Sequence, residues 1–516
     1  MSEPTPLASE HLGTLADPVA ATVEHLIEIE AVRRIWDGDH TLWQDDPSEV
    51  SDRLGWLWVG PEVSAVATEL DLFAQGCVDD GLTHAVVMGM GGSSLFPEVI
   101  ARTFPHRTDR LELRVLDTTD PAAIERIEHE CPLGTTLFVA SSKSGSTIET
   151  RSHLAYFWDR VGRPEQFTVI TDPGSDLAAL GAERRFRKVW ENRPDIGGRY
   201  SALSYFGMVP AALAGADFLG LLDAADRQSD HLKADVGPRA NPGLRLGAIM
   251  GAAVKAGRDK LTLVIDADVE TFGLWLEQLL AESTGKHGTG VVPIAGERLG
   301  PPEVYGDDRL FVAIGEHHGL DVLAAHGHPV VGLPYASPIS LGEQVLLWEL
   351  ATAVCGAVLG INAFDQPNVA EAKEATKQVL AKGLPVIEPE PLARLLDQVK
   401  AGDYLSIQAY LDPEDGVVDA IEDARTALRD KLRVATTFGL GPRFLHSTGQ
   451  LHKGGPPTGV FVQVLGLDAT DLSIPGESFT FSTLKQAQAA GDLATLRSHR
   501  LRAARVSLDD LWEASR

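Results

Sequence analysis

The chain has 516 residues, of which 44% are hydrophobic and 23% are charged, and this length is too great for one compact core. Its 73 acidic residues against 45 Lys and Arg give a formal net charge of −28, which disfavours binding to nucleic acid or to an anionic membrane surface. A phosphate site in so acidic a protein must be built locally, from backbone N–H groups, hydroxyls and a few cations.

The composition also bears on location and on metal binding. The first 25 residues lack the basic start and the apolar core of a signal peptide. No continuous apolar run of about 18 residues predicts a membrane span. The three cysteines, Cys77, Cys131 and Cys355, form neither a C-x-x-C motif nor a cysteine–histidine cluster. We therefore expect a cytoplasmic protein with reduced thiols, no metal and no organic cofactor.

Residues 1–55 are predicted to be an entry segment with one helix at about 17–35. After it, short apolar runs rich in β-branched residues alternate with amphipathic stretches, a pattern typical of parallel sheets covered by helices on both faces. The runs lie at 84–90, 111–117, 136–142, 167–172, 260–266, 290–296, 309–315 and 329–334. We predict two doubly wound α/β domains, at 56–225 and 240–380, joined by a polar, loop-like segment at 226–243.

The rest of the chain is less regular. Residues 343–361 are strongly apolar and predict a helix packed between layers. Residues 381–516 are expected to form a C-terminal mixed α/β region that completes the second domain and its site. This region has a proline-rich turn cluster at 385–391, a strand candidate at 459–467 and a closing helix near 482–500.

Two loops rich in glycine and hydroxyl residues each follow a predicted strand. The first, MGMGGSSLFPEV at 88–99, has glycines that admit a close anion, and Ser93 and Ser94 precede a helix. The second, SSKSGSTIET at 141–150, surrounds Lys143 with five Ser or Thr residues. Either loop alone fits a capped helix start, and the first fits a nucleotide site equally well. Together, at the carboxyl ends of parallel strands, they predict a phosphate site.

These loops resemble the sugar-phosphate-binding loops of sugar isomerase (SIS) domains. Further motifs resemble the phosphoglucose isomerase family in order and character. They are GGRYS at 197–201, LAESTGK at 280–286, FDQPNVAEAK at 364–373 and LHSTGQ at 445–450. The segments at 38–57 and 452–463 are similar to one branch, the isomerase half of fused transaldolase–phosphoglucose isomerases. The resemblance spans roughly 37–516, and no transaldolase half is expected here.

The resemblance implies reversible isomerisation of glucose 6-phosphate and fructose 6-phosphate through a cis-enediol, a step of glycolysis and gluconeogenesis. It makes Glu282 the base that moves a proton between C2 and C1, and an apolar helix would raise the pKa of this carboxylate towards neutrality. From the helix alone, pairing with Lys286 four residues on fits as well. The resemblance makes Arg199 the cation that stabilises the enediolate, where the simpler alternative is a loop salt bridge.

The resemblance further implies that Lys373 and a histidine open the sugar ring, with Lys377 as a second lysine nearby. His446 matches the histidine motif. In most family members that motif lies between the glutamate and lysine motifs, whereas here it follows both, so His452 and His287 remain alternatives. In the family this histidine comes from the neighbouring subunit, which implies a homodimer.

Phosphate contacts are also implied by the resemblance. The residues are Gly92, Ser93, Ser142, Lys143 through its backbone, Ser144, Thr147 and Gln366. A helix through Gln366 and Lys373 would place both on one face, and Pro367 could begin that helix. The Pro367–Asn368 pair departs from the aromatic–glycine pair typical of the family.

Three other functions fit part of the sequence. The isomerase could also accept mannose 6-phosphate. A non-catalytic SIS-type sensor would need the two loops but not Glu282, Arg199 and Lys373 together. A nucleotide-binding protein would use the Gly89–Gly92 loop, but the P-loop lysine pattern and a ribose-binding acid are missing. The sequence leaves open the oligomeric state, the anomer preference and whether the chain acts beside a separate transaldolase.

Overall fold

A computed structural model describes residues 7–317, 319–413 and 415–514. Strands and helices alternate along most of this length. The strands are β1 (Ser9–His11), β2 (His84–Met88), β3 (Glu112–Leu116), β4 (Thr136–Ser141), β5 (Phe167–Thr171), β6 (Lys188–Glu191), β7 (Lys260–Ile265), β8 (Val292–Ile294), β9 (Arg309–Ile314), β10 (Val330–Leu333), β11 (Tyr404–Tyr410), β12 (Ala435–Leu440), β13 (Gly459–Leu465) and β14 (Arg502–Val506).

The α-helices alternate with these strands. They are α1 (Ala16–Glu28), α2 (Ala31–Trp36), α3 (Val59–Ala65), α4 (Ala67–Asp79), α5 (Leu95–Thr103), α6 (Pro121–Glu130), α7 (Ile148–Val161), α8 (Asp176–Glu183), α9 (Tyr205–Ala214), α10 (Phe218–Leu232), α11 (Pro242–Lys255), α12 (Phe272–Thr284), α13 (Leu320–Ala325), α14 (Leu341–Leu359), α15 (Val369–Lys382), α16 (Leu392–Leu396), α17 (Asp415–Leu432), α18 (Gly449–Gly454), α19 (Phe481–Ser498) and α20 (Leu508–Ala514).

The first sheet carries both predicted phosphate loops. Its five strands are parallel, in the order β3-β2-β4-β5-β6. Val87 packs into one hydrophobic core and Val86 and Met88 into another, so both faces are covered, as the alternating pattern predicted. Met88 pairs with Ala140 at the carboxyl ends of β2 and β4. The loops that follow these two strands therefore lie side by side.

The second sheet has the order β1-β10-β9-β7-β8, with β1 antiparallel at one edge and the other strands parallel. Strand β1 comes from the entry segment, which the sequence predicted to be helical. It is only three polar residues long, too short to show an alternating pattern. The single helix expected at 17–35 is also wrong, because Glu30 has a left-handed backbone (φ 53°) that separates α1 from α2.

The C-terminal residues form a third sheet, parallel throughout, in the order β12-β11-β13-β14. Only β13 was predicted. Every residue of β11 is buried, including the polar Gln408, which bonds His452. The strand therefore shows no alternation of apolar buried and polar exposed residues. These strands pair with one another and not with the second sheet, and the predicted domain boundaries remain a prediction.

The polar segment 226–243 is only partly the predicted loop, since α10 continues to Leu232. This helix is amphipathic and buries Leu222, Ala225 and Leu232, while Asp226 and Asp230 are exposed. Within the segment 226–243, only residues 233–241 lie outside an α-helix, and they include a short 3-10 turn at Pro238–Ala240.

Helix α14 confirms the predicted apolar helix. The segment Pro338–Leu359 is long and apolar enough to span a membrane by length and composition, but 89% of its apolar window is buried inside the protein. Helix α11 approaches it closely, since a Cβ on Gly247 would lie 2.6 Å from the Ala351 carbonyl oxygen. This burial among neighbouring helices identifies α14 as a core helix.

Candidate active site

Glu282 lies in the last turn of α12, and its side chain is 6% exposed. Its Oε2 accepts a hydrogen bond from Gln278 Nε2 at 3.2 Å and lies 3.7 Å from Arg199 Nη1. Burial raises the pKa of Glu282, and the nearby Arg199 charge opposes that rise. The structure therefore gives this carboxylate the low-polarity setting that the sequence predicted.

Arg199 lies in a 3-10 turn, Gly198–Tyr200, and its side chain is 2% exposed. Its Nε donates to Ser283 Oγ at 2.7 Å. Its Nη2 donates to the carbonyl oxygens of Ala363 at 2.7 Å and Asp365 at 3.0 Å. These bonds fix the guanidinium and leave Nη1 directed at Glu282. The pair is buried, whereas a salt bridge in a surface loop would be exposed.

Lys286 does not make the ion pair with Glu282 that its spacing allowed. It is fully buried, and its Nζ bonds the Asn362 carbonyl oxygen at 2.5 Å and Asp365 Oδ1 at 2.6 Å. Burial lowers the pKa of Lys286 to about 7, and the Arg199 charge acts in the same direction. The lysine thus holds residues 362–365, the segment whose carbonyl groups orient Arg199.

His446 reaches the site at the end of a 3-10 turn, Arg443–His446. Its Nε2 lies 2.9 Å from Glu149 Oε1, and its backbone carbonyl accepts from Gln278 Nε2 at 2.9 Å. Burial raises the pKa of Glu149, but the charge and hydrogen bond of His446 outweigh it, so this pKa lies below its ordinary value. Gln278 therefore links the histidine turn to Glu282.

The other two histidine candidates lie elsewhere. His452 is buried between Phe444 and Phe461, bonds Gln408, and burial holds its pKa well below the ordinary value. His287 is exposed in a tight turn after α12. His446 comes from the same chain as Glu282 and Arg199, whereas the family resemblance implied a histidine from a neighbouring subunit.

Gln450 joins three of the motifs. Its Nε2 donates to the Gly285 carbonyl at 3.0 Å and to Asn368 Oδ1 at 2.8 Å, and its Oε1 accepts from the Asn368 N–H at 2.9 Å. Asn368 is one of the residues that depart from the typical family pattern. Through these bonds the histidine motif is tied to the glutamate motif and to the lysine motif.

The first phosphate-type loop packs directly on the arginine and histidine turns. Gly91 has a left-handed backbone (φ 56°), and a Cβ there would lie 2.5 Å from the His446 carbonyl oxygen. A Cβ on Gly92 would lie 1.9 Å from the Gly198 carbonyl oxygen. Only glycine allows this approach, which brings the buried Ser93 next to the arginine turn.

The second loop gathers hydroxyl groups at the N-terminus of α7. Ser142 and Thr147 hydroxyls lie 2.9 Å apart, and those of Ser144 and Ser146 lie 2.8 Å apart. The Lys143 ammonium is directed elsewhere, to the Asp172 carboxylate and to the Pro194 carbonyl at 2.9 Å. Lys143 can therefore serve an anion only through its backbone, as expected. Hydroxyls at a helix N-terminus suit a phosphate group.

Gln366 and Lys373 do not share a helical face, so that prediction is wrong. Helix α15 begins at Val369, two residues after Pro367, and Gln366 precedes it in an exposed loop. Lys373 is exposed on α15, and its positive charge helps to lower the Glu149 pKa, which places it within electrostatic range of the His446–Glu149 pair. Lys377 is also exposed, one turn further along.

A cavity beside the first sheet lies apart from this cluster. It encloses about 770 Å³ beside β3, α5, α6 and the loop that contains Arg443, and it includes none of Glu282, Arg199 and His446. The cluster is the better candidate, since convergent charged groups and two anion-type loops meet there. Within residues 7–317, 319–413 and 415–514, no group of three or more His, Cys, Asp or Glu side chains could hold a metal ion.

Sequence reasoning missed Glu149 and Gln278 as site residues. Glu149 stood in the hydroxyl-rich motif at 141–150, where an acid next to a phosphate-type loop was a signal. Gln278 precedes Glu282 by four residues, which is one helical turn, so the contact between their side chains could have been predicted.

Known proteins are similar to the part of the chain that carries Arg199 and Glu282. Residues 71–297, which include Arg199 and Glu282, match the family model described as phosphoglucose isomerase. A glucose-6-phosphate isomerase of Rubrobacter xylanophilus is 29% identical over 365 residues, 58% of this chain and 82% of the relative. A glucose-6-phosphate isomerase of a Cyanothece strain is 25% identical over 378 residues, 62% of this chain and 71% of the relative.

Solved structures show the same fold. The crystal structure of a glucose-6-phosphate isomerase from Chlamydia trachomatis has a TM-score of 0.60 at 20% identity, with 70% of this chain and 86% of that chain covered. A hypothetical protein from Thermus thermophilus has a TM-score of 0.60 at 24% identity, with 72% and 100% covered. The matched family model and the named relatives show that residues 71–297, which carry the buried Glu282–Arg199 pair, are similar to the phosphoglucose isomerase family of aldose–ketose isomerases.

Proposed function

We propose that this protein interconverts glucose 6-phosphate and fructose 6-phosphate by proton transfer through a cis-enediol. The observation that carries the proposal is the buried Glu282–Arg199 pair, whose charged atoms lie 3.7 Å apart beside the His446 turn. A buried carboxylate with a raised pKa is suited to remove a proton from carbon near neutral pH. The names of the relatives give glucose 6-phosphate as the molecule that they isomerise.

In the forward direction, Glu282 removes the C2 proton, and the electrons of the breaking C–H bond form the C1–C2 double bond. The electrons of the C1 carbonyl move to O1, and Arg199 Nη1 stabilises the negative charge that develops there. Glu282 then returns the proton to C1 while the O2 proton is released and O1 is protonated, which gives the ketose. A fixed guanidinium stabilises this charge without reorganisation.

Ring opening precedes this step. His446, oriented by Glu149, protonates or deprotonates the ring and anomeric oxygens, and Lys373 supplies a nearby cation. The phosphate group binds at the two loops through Ser93, Ser142, Ser144 and Thr147 and through backbone N–H groups of Gly92 and Lys143, with Gln366 at the edge. Backbone and hydroxyl donors suit a protein with a net charge of −28, which repels anions at long range.

As part of the same proposal, the enzyme works in the cytoplasm, in glycolysis and gluconeogenesis. The support for this location is chemical, because Cys77, Cys131 and Cys355 are all free and buried, as expected for a reducing compartment. A homodimer and a separate transaldolase partner remain predictions.

The test is a coupled assay in which fructose 6-phosphate is supplied and glucose 6-phosphate is detected through an NADP-linked dehydrogenase. Wild type is compared with Glu282→Gln and with Glu277→Gln, a matched control. Glu277 lies on the same helix, is also buried, and burial raises its pKa to about 8. We expect Glu282→Gln to lower kcat by about 10²–10⁴-fold and Glu277→Gln to retain activity.

Folded wild-type protein that binds fructose 6-phosphate without turnover would overturn the proposal and favour the sugar-phosphate sensor. Equal loss of activity in both variants would remove Glu282 as the base. Mannose 6-phosphate in the same assay, with a mannose-specific detection step, decides whether the proton also reaches the other face of C2.

A further inference from the structure

A second hydrogen-bond donor reaches the Glu149 carboxylate from the C-terminal helix α19. Gln488 Nε2 donates to Glu149 Oε1 at 2.6 Å, the same oxygen that lies 2.9 Å from His446 Nε2. Thr119 Oγ1 in turn donates to Gln488 Oε1 at 2.8 Å. Thr119, Gln488 and Glu149 are each at most 2% exposed, so water does not compete for these bonds.

The chemistry of the three groups fixes the direction of each bond. A carboxylate only accepts hydrogen bonds, so the Gln488 amide must turn its NH₂ group to Glu149. Its oxygen then needs a donor, which the Thr119 hydroxyl supplies. Reversing the amide would set two acceptors against each other at Glu149 in a buried site, which is strongly unfavourable.

One loop, residues 117–120, follows β3 and contacts both the histidine turn and helix α19. Asp117 bonds the guanidinium of Arg443 at 2.7 and 2.8 Å, three residues before His446. Asp120 Oδ2 bonds Lys485 Nζ at 2.7 Å, on the same helix as Gln488. The loop therefore holds the histidine turn and the Gln488 helix in a fixed relation to each other.

The loop is also fixed to the helix that carries Glu149. His153 on α7 contacts the Thr118 carbonyl oxygen at 2.9 Å, one turn after Glu149. The loop 117–120 thus contacts all three elements that carry Glu149, Gln488 and His446. The Glu149 side chain has rotatable bonds, and the hydrogen bond from Gln488 opposes rotation of Oε1 away from His446.

We propose that Gln488, which accepts a hydrogen bond from Thr119, is a positioning residue that keeps the Glu149 carboxylate within hydrogen-bond distance of His446 for ring opening. The inference rests on the proposed isomerase function only for its kinetic consequences. Gln488 does not touch the reacting atoms, so it is not a catalytic residue. Its loss should slow ring opening selectively and leave the proton transfer at C2 and the binding of the phosphate group largely unchanged.

The kinetic test compares Gln488→Leu and Thr119→Val with wild type in the aldose-to-ketose direction, and uses glucose 6-phosphate deuterated at C2. We expect kcat to fall roughly tenfold or more, because acid–base catalysis contributes about 10²–10⁴-fold, while KM stays within about twofold. The deuterium isotope effect on kcat should fall towards one, since ring opening then limits the rate. A general structural defect would not change the isotope effect in this way.

Two variants serve as controls. Gln486→Leu lies on the same helix, where Gln486 bonds the Ser482 hydroxyl at 3.0 Å instead of Glu149, and it should keep wild-type kcat and isotope effect. Thr119→Ser keeps the hydroxyl and should restore most of the activity that Thr119→Val loses. A uniform fall in kcat with an unchanged isotope effect would overturn the positioning role.

A readout independent of turnover is the imidazole N–H resonance of His446 in ¹⁵N-labelled protein. We expect this resonance to be sharp and protected from exchange in wild type and Gln486→Leu, and broadened or lost in Gln488→Leu. If the wild type proves inactive, the proposed function fails but this comparison still tests the positioning. An unchanged His446 resonance in folded Gln488→Leu would overturn the inference.

Discussion

The guanidinium of Arg199 and the carboxylate of Glu282 lie 3.7 Å apart, on side chains that are 2% and 6% exposed. The other guanidinium nitrogens of Arg199 are already bonded to Ser283 and to two backbone carbonyls. The nitrogen nearest Glu282, the proposed base, therefore remains available for charge that develops on the substrate. Such a fixed cation stabilises an enediolate without the cost of reorienting solvent.

This relationship predicts the pH dependence of the reaction. Glu282 acts in its ionised form, so activity is lost as the pH falls through its pKa, which burial raises above the ordinary value and Arg199 partly lowers again. In Arg199→Met the pKa of Glu282 should rise further. The acid limb of kcat/KM should move to higher pH, and kcat should fall about 10²–10³-fold, as for loss of an oxyanion donor. A limb that stays in place or moves to lower pH would contradict this electrostatic link.

Lys286 is predicted to fix the backbone segment 362–365, whose carbonyl groups orient Arg199. In Lys286→Met the bonds to Asn362 and Asp365 are lost, and the segment that orients Arg199 is released. We expect kcat to fall at least about tenfold with a smaller change in KM, because misplacement of a charged group affects mainly the transition state. Steady-state kinetics with a thermal denaturation control measures this. Lys255→Met, on α11, should leave kcat unchanged.

The origin of His446 predicts the outcome of a mixing experiment. The His446 turn and Arg199 both lie beside Glu282 within one chain, so we predict that no site is shared between subunits through these residues. Inactive Glu282→Gln and inactive His446→Gln should therefore stay inactive after they are mixed, denatured and refolded together. Recovery of a substantial fraction of wild-type activity would show that the histidine is exchanged between chains, as the family resemblance implied.

Gly92 is predicted to be intolerant of any side chain. A Cβ there would lie 1.9 Å from the Gly198 carbonyl oxygen, and both partners are backbone, so neither can rotate away. Gly92→Ala should separate the phosphate loop from the arginine turn, abolish measurable activity and lower the Tm. Gly60→Ala is the control, because Gly60 lies in α3 and a Cβ there would meet none of the described residues within 4 Å. Its Tm should be unchanged or slightly higher.

Glu277 is predicted to make stability depend on pH. Burial raises its pKa to about 8, above the ordinary value of 4.5, so the folded protein holds this proton more tightly than the unfolded chain. Its contribution is complete below pH 4.5 and is lost as the pH rises towards about 8. Within that window the loss is about 1.4 kcal/mol per pH unit. Glu277→Gln should gain stability relative to wild type as the pH rises, measured by denaturant unfolding at pH 5 and pH 8.

Much of the fold was readable from the sequence. The buried runs at 84–90 and 136–142 became adjacent parallel strands, because β-branched residues in short apolar runs between helices are typical of a sheet buried on both faces. Strand β1, only three residues long, and strand β11, with its buried glutamine, carried no local pattern to detect.

The sequence by itself predicted the reaction class and its central residues, since Glu282 and Arg199 stand in local motifs that resemble those of one enzyme family. The tertiary structure decided which histidine reaches the site, which way the Lys143 side chain is directed, and that Glu149 and Gln488 belong together. Gln488 bonds Glu149 across 339 positions of sequence, a contact made by the packing of α19 on the first sheet. Local residue patterns record the periodicity of single elements, whereas contacts between distant elements depend on how their faces pack.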